Sequence, residues 1–218
     1  MQEEKSVKTE LSVKPHTSRS AKTSKPKKSI FINKRAVVCE DIVLEGEIRI
    51  GEGTVLHPQC KILAEQGPIV IGQNNIIEEK VTIVNRQQKP LLIGDENVFE
   101  VGSYIEGTKI GNKNIIEAKA RIMGTTSLGN NCVIGAVCST RNDENIPDNT
   151  VIYGDYHNRR TQTNGSNASV HTRHLDYLRE VLPKCNYIKV SEKPKDRGSA
   201  REPSSGHREA RSVKKIHS

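Results

Sequence analysis

Seven histidines, five cysteines and a series of regularly spaced glutamates are the residues of this 218-residue chain whose types could do chemistry. The histidines are His16, His57, His157, His171, His174, His207 and His217. Neutral imidazoles suit zinc, and an imidazole that titrates near neutral pH can act as a general base. A His-rich metal site needs several convergent rings, and only His57 falls inside the body of the periodic region described below. The cysteines, Cys39, Cys60, Cys132, Cys138 and Cys185, are odd in number and have no framework spacing. Zinc ligation by Cys132 and Cys138 needs two further ligands, and the pattern suggests none. No Walker loop, nucleophile elbow or His-Glu-x-x-His pattern occurs. These residues imply no catalytic site, no metal and no cofactor.

The glutamates carry a sharper signal. Cys39, His57, Glu78, Glu100, Glu117 and Gly135 follow one another at spacings of 18, 21, 22, 17 and 18 residues. On a coiled scaffold with turns of that length they stack vertically, with strands ~4.8 Å apart. Three carboxylates in one column repel and raise one another's pKa, and a basic side chain brought from outside would relieve that. The expectation is a partner-facing column of His57, Glu78, Glu100 and Glu117. The plainer alternative is a solvated ladder produced by the repeat.

The element that would hold such a column is written three times: IGQNNIIEEKVTI (71–83), IGDENVFEVGSYI (93–105) and IGNKNIIEAKARI (110–122). The aliphatic phase is six. It runs through Ile50, Leu56, Ile71, Ile77, Ile93, Phe99, Ile110, Ile116, Ile122, Leu128 and Ile134, and begins earlier with Ile32, Val38 and Leu44. Thr140 is the one failure before the phase returns at Ile146 and Ile152. Four residues after most anchors comes a smaller residue, such as Thr54, Cys60, Asn75, Val81, Ser103, Ala120, Cys132 or Cys138. Helices repeat at three to four and simple strands at two, so six describes a short strand plus a corner. Three such units close a triangular coil of 18 residues. The fold class is therefore an all-β solenoid, a left-handed parallel β-helix of hexapeptide repeats with about six full coils and a partial one. Extra residues near Ala64–Gly67 and Asn85–Lys89 belong in corner loops. With no Trp and seven Phe and Tyr, the core must be aliphatic.

The flanks differ in character. Residues 1–31 carry 8 basic and 3 acidic side chains (net +5), residues 157–218 carry 14 and 6 (net +8), and the body 32–156 carries 12 and 17 (net −5). Residues 1–29 and 190–218 are expected to be disordered basic arms, 30–156 the β-helix and 157–170 a polar link. Residues 171–189 should hold a capping helix that packs on the β-helix. Its apolar stripe is Leu175, Leu178 and Leu182, with Thr172 as N-cap and Pro183 as the stop. Its expected role is to cover an open end of the solenoid. Lys25-Pro26-Lys27-Lys28 is too short for a nucleic-acid or import signal and has no interleaved aromatics, so nucleic acid is not an expected partner. No apolar run approaches ~18 residues and no secretory h-region is present, so no membrane insertion is expected, and the unpaired cysteines fit a reducing compartment. The Asn164 and Asn167 sequons read as chance matches, and no Ser-Pro or Thr-Pro pair occurs.

The stretches at 50–79, 91–122 and 146–155, together with LDYLREVLP at 175–183, resemble the pointed-end β-helix subunits of dynactin over about residues 32–190. The resemblance implies a non-catalytic structural and adaptor subunit of the dynactin pointed-end complex, serving dynein-driven transport along microtubules and cargo selection. Implied partners are a dynactin subunit 5-like β-helix protein, an actin-related protein and a large zinc-binding subunit, with dynein contacted indirectly. The implied location is the cytoplasm and cytoskeleton, extending to centrosome and kinetochore. Many relatives carry a longer acidic loop where this chain has NRQQKP, 85–90. The repeat itself also resembles carbonic anhydrase-like and acyltransferase enzymes, which is the alternative function.

Overall fold

The computed structural model describes residues 29–163 and 168–189. The expected arms apart from Ser29, the Lys25–Lys28 cluster and both sequon asparagines lie outside them, and Ser29 begins the first strand, Ser29–Ile32. The described chain winds as a left-handed parallel β-helix of about seven turns with one helix. One face stacks Val37–Val38, Val55–Leu56, Ile76–Ile77, Val98–Phe99, Ile115–Ile116, Val133–Ile134 and Thr150–Tyr153 in parallel register. The other two faces join into one ten-stranded sheet, because Tyr104–Ile110 and Arg121–Leu128 run continuously around a corner. The first of these pairs with Thr82–Asn85 at its start and with Leu91–Ile93 at its end.

Eleven of the apolar positions named above, from Ile50 to Ile134, ten aliphatic residues and Phe99, are buried and belong to one core. With Ile62, Ile83 and Ile105, which are also buried, the six-residue phase places one on each face of the coils from Ile50 to Ile122, pointing inward. Thr140 breaks the apolar phase but is also buried; its hydroxyl accepts the Met123 N–H at 2.9 Å and lies 3.4 Å from the Thr126 hydroxyl. A polar residue in an apolar column is tolerated here because it is hydrogen-bonded.

Polar columns hold the corners. Asn75 Oδ1 accepts the Asn97 N–H at 2.9 Å, Asn97 Oδ1 accepts the Asn114 N–H at 2.9 Å, and Asn114 Oδ1 accepts the Cys132 N–H at 2.8 Å. All three asparagines are fully buried. A second, exposed column runs Gln73, Asp95, Asn112, Asn130 and Asp148, each side-chain oxygen from Asp95 onward accepting the N–H of the residue one coil earlier. Beside it Gly72, Gly94, Gly111 and Gly129 stack so tightly that a Cβ on Gly111 would meet the Gly129 carbonyl oxygen at 2.3 Å. The extra residues near 64–67 and 85–89 form stacked corner loops. Asn85 ties them together, donating Nδ2 to the Pro68 and Lys89 carbonyls at 2.9 Å each.

Three expectations change. Asn158–Thr161, assigned to the polar link, is a strand antiparallel to Thr150–Tyr153. Its four exposed residues, Asn-Arg-Arg-Thr, have no apolar alternation that could have announced it. The helix spans Ala168–Cys185 rather than beginning after Thr172. Thr172 is therefore inside it, and Pro183 sits within its last turn, where Asn186 N–H still reaches the Leu182 carbonyl at 2.9 Å. Finally, the helix does not cover the C-terminal cross-section. It lies along the outside of the early coils, against Val37–Val38 and Val55–Leu56. Leu175, Leu178 and Leu182 are buried there, so the apolar stripe was legible but its target was not.

Arg179 pins the helix in place. Its guanidinium donates to the Gly53 carbonyl (Nη2, 2.7 Å) and to Asn74 Oδ1 (2.6 Å), while the His171 ring lies 2.9 Å from the Asn74 carbonyl. Gly53, at φ +67°, has no room for a Cβ because Arg179 Nη2 would lie 2.0 Å from it. Charged hydrogen bonds to partly buried groups are worth about 1.5–3 kcal/mol. Arg179→Ala is expected to weaken helix docking by about 2–3 kcal/mol. Faster amide exchange across residues 175–185, with the coils from Leu91 onward unchanged, would report it.

Candidate interaction surface

The strand register brings Cys39, His57, Glu78, Glu100, Glu117 and Gly135 into one column, each following a paired inward residue on the same face. The three glutamates are partly exposed and equivalent in what they hold. Glu78 Oε2 accepts the Val101 N–H at 3.0 Å, Glu100 Oε2 the Ala118 N–H at 3.0 Å, and Glu117 Oε2 the Ala136 N–H at 2.8 Å. Each carboxylate thus caps a corner amide of the following coil. Burial, together with the charges of Glu78 and Glu117, raises the Glu100 carboxyl despite the Ala118 hydrogen bond.

His57 departs from the pattern. It is buried, and its Nδ1 lies 2.9 Å from Oε1 of Glu79, not Glu78. Burial acts to raise Glu79, but the hydrogen bond and charge of His57 hold its carboxyl below the usual range. The ring is shielded, with Nδ1 engaged by Glu79, while its Nε2 is buried and has no hydrogen-bond partner among the described residues. His157 and His171 sit on other elements, where they bond to Ser139 N–H and to the Asn74 carbonyl. Among the described residues, no group of three or more His, Cys, Asp or Glu is arranged to hold a metal ion.

Cys39, Cys60, Cys132 and Cys138 are buried free thiols, and Cys185 is exposed. Burial pushes Cys39 up to about 11 and Cys60 up to about 12, and raises Cys132 and Cys138 as well. Thiols in that range stay protonated at neutral pH, and the thiolate is the nucleophile and the metal ligand. Cys60 Sγ instead donates to the Glu78 carbonyl at 2.9 Å and fills its slot in the core.

One exposed network went unnoticed in the sequence. Arg86 Nη1 donates to Tyr104 OH and to Glu106 Oε2, both at 3.0 Å, and Arg86 Nε reaches Glu65 at 3.2 Å. Arg121 stacks over the Tyr104 ring at 4.6 Å. These residues come from four successive coils, and the varying loop lengths hid their alignment. The asparagine and aspartate columns could have been found, since Asn75, Asn97 and Asn114 recur at the same place in each repeat.

No protein-family model matches the chain. It is 44% identical over 175 residues to dynactin subunit 6 of Nematostella vectensis, covering 75% of this chain and 94% of that one. It is 40% identical over 178 residues to dynactin subunit 6 of Danio rerio, covering 76% and 90%. Among solved structures, a hexapeptide transferase family protein from Anaplasma phagocytophilum superposes with a TM-score of 0.55 at 11% identity, over 69% of this chain and 87% of that one. That likeness extends to the fold alone.

Proposed function

Because this chain belongs to the dynactin subunit 6 family, we propose that it acts as a non-catalytic structural and adaptor subunit of the dynactin pointed-end complex. The observation that carries this is similarity over nine-tenths or more of the relatives' length. The local chemistry agrees with it. The one histidine in the repeat body is bonded to Glu79, and the buried thiols are held protonated. In this reading the chain works in the cytoplasm on the cytoskeleton. It sits beside a dynactin subunit 5-like β-helix protein, an actin-related protein and a large zinc-binding subunit, and reaches dynein and cargo through them. Affinity purification of the tagged chain should recover the other dynactin subunits. A homotrimer with stoichiometric zinc, or recovery of the chain without dynactin, would overturn the proposal in favour of an enzyme.

The glutamate column enters the same reading as a face for basic side chains of a partner. One oxygen of each carboxylate is committed to an amide. The neighbouring charges that help raise Glu100 are a cost that an incoming Lys or Arg would relieve. Glu100→Gln keeps an acceptor for Ala118 N–H and removes the charge. A carboxyl raised in the folded state destabilises above its folded pKa, and the penalty fades as pH falls through that value. The variant should therefore match or exceed the parent Tm at pH 7, with the difference vanishing under acid conditions, while its recovery of dynactin falls. Unchanged recovery would place the partner contact elsewhere.

A further inference from the structure

The face that runs from Val37–Val38 to Thr150–Tyr153 has two outward columns. Its anchors, from Val38 to Ile152, are fully buried and point inward, so the residue on either side of each anchor points outward. The column before the anchors is Val37, Val55, Ile76, Val98, Ile115, Val133 and Val151, in continuous parallel register. The column after them is the one that holds Glu78, Glu100 and Glu117. All seven residues of the first column are apolar. Thr is β-branched too and suits strands, yet it occupies none of these positions. Parallel sheets with apolar residues on both faces are ordinarily covered on both.

The chain covers part of that column itself. The helix lies against Val37–Val38 and Val55–Leu56, and Val55 and Ile76 are fully buried although they point outward. Beyond the reach of the Leu175, Leu178 and Leu182 stripe, Val98, Ile115 and Val133 in the fourth to sixth coils stay partly exposed. Val101 and Val137, 40% and 70% exposed, carry the apolar ground around the adjoining corner.

The carboxylates beside these three residues are also unmatched. Elsewhere Glu52 pairs with Arg35, Glu65 and Glu106 with Arg86, Glu96 with Lys113, and Glu144 with Arg159. Among the described residues Glu78, Glu100 and Glu117 form no ion pair, although Lys80 and Lys119 stand at the same corner. The bond each one makes is to a backbone N–H.

We propose that Val98, Ile115 and Val133, with Glu78, Glu100 and Glu117 beside them, receive an amphipathic α-helix of another polypeptide, one whose apolar stripe is flanked by Lys or Arg. The same column already accepts a helix in the first coils, and the free stretch continues it. Coils rise by ~4.8 Å and helical turns by ~5.4 Å, so apolar residues at i, i+3 or i+4, and i+7 stay in step with three coils. The two outward columns lie two residues apart along the strands, ~6.6 Å, so a basic ridge beside the apolar one meets the carboxylates. The middle of a sheet offers side chains and no free backbone edge, which suits a helix and not an added strand. This occupant rests on the reading of the glutamate column as a partner face and adds the kind of partner.

The test is photo-crosslinking of the full chain, assembled with the other dynactin subunits, from a benzophenone amino acid placed at position 133. The crosslink should fall on another polypeptide, in a segment with Lys or Arg beside apolar residues at helical spacing. Val98→Thr with Ile115→Thr keeps the strands β-branched and should lower the crosslink yield by ~10-fold or more. Glu78→Gln with Glu100→Gln and Glu117→Gln keeps the amide acceptors and should lower it by ~10-fold at low salt, and by less at ~0.5 M. If either variant lowers Tm, the segment crosslinked by the chain without those substitutions decides. A crosslink to residues 1–28 or 190–218 of this chain, or to a second copy, would overturn the proposal, as would an assembled complex with no crosslink. A basic segment without helical spacing, lost in the glutamine variant, would overturn the helix and leave the glutamate column as a partner face. Full yield in the glutamine variant would overturn both and leave the family reading intact. No assembly with dynactin subunits would remove all three.

Discussion

Asn97→Ala is expected to lower the unfolding free energy by about 3–5 kcal/mol, because it orphans polar groups inside the stack at about 1–3 kcal/mol each. Asn97 is fully buried, and its Oδ1 accepts both the backbone N–H and the side-chain Nδ2 of Asn114, at 2.9 and 3.0 Å. Its own Nδ2 donates to Asn75 Oδ1 at 3.0 Å. The alanine leaves two buried donors without an acceptor and takes one donor from Asn75. Asn112 makes a similar bond to Asp95 N–H at 2.8 Å, but at an exposed corner where water can replace it. Asn112→Ala should cost only about 0.5–1.5 kcal/mol. Urea unfolding of the two variants side by side measures the difference. Asn97→Asp adds a check on the cause. A buried carboxyl has its pKa raised, so this variant should regain stability as pH falls. If both alanine variants cost the same, the internal asparagine column is not what joins the coils.

Phe99→Ala is the second large effect, expected to cost about 3–5 kcal/mol as a large-to-small change in a closed core. Phe99 is fully buried and is the only aromatic ring in its inward column, between Ile77 and Ile116. The fourth coil is built around the larger side chain, and the coils on both sides are fixed by backbone bonds and cannot close on the void. Phe99→Leu retains most of the apolar contact and should cost less than about 1.5 kcal/mol. Each coil contacts only its neighbours, so the lost stability falls at one junction. Hydrogen exchange should show the coils before and after Phe99 opening with free energies further apart than in the parent. A uniform loss across all coils would argue against nearest-neighbour coupling.

How much of this was legible follows from what repeats. The six-residue phase located Ile110, Ile116 and Ile122, all buried, because side chains pointing inward at a fixed period leave a periodic trace. The Glu78, Glu100 and Glu117 column followed from the coil lengths, but its hydrogen bonds to Val101, Ala118 and Ala136 needed coordinates. Features made by single, non-repeating segments left no trace. The strand Asn158–Thr161 has no apolar face to recognise, and the helix carries an apolar stripe that does not say which surface receives it. Arg179 reads as an ordinary surface charge until Gly53 and Asn74 are placed beneath it.

The pairing of Lys189 with Val38 has a mechanical consequence. The described fold begins at Ser29 in the first coil and returns to that coil at Lys189. A tension applied between these two points runs through the Val38–Lys189 contact, the Arg179 clamp and the first coils, and by-passes the later ones. The force path is short, and the rest of the solenoid rides on it as an unloaded rod. A chain anchored at that end would let go by peeling its helix and first coil, while the columns from Leu91 onward stayed wound.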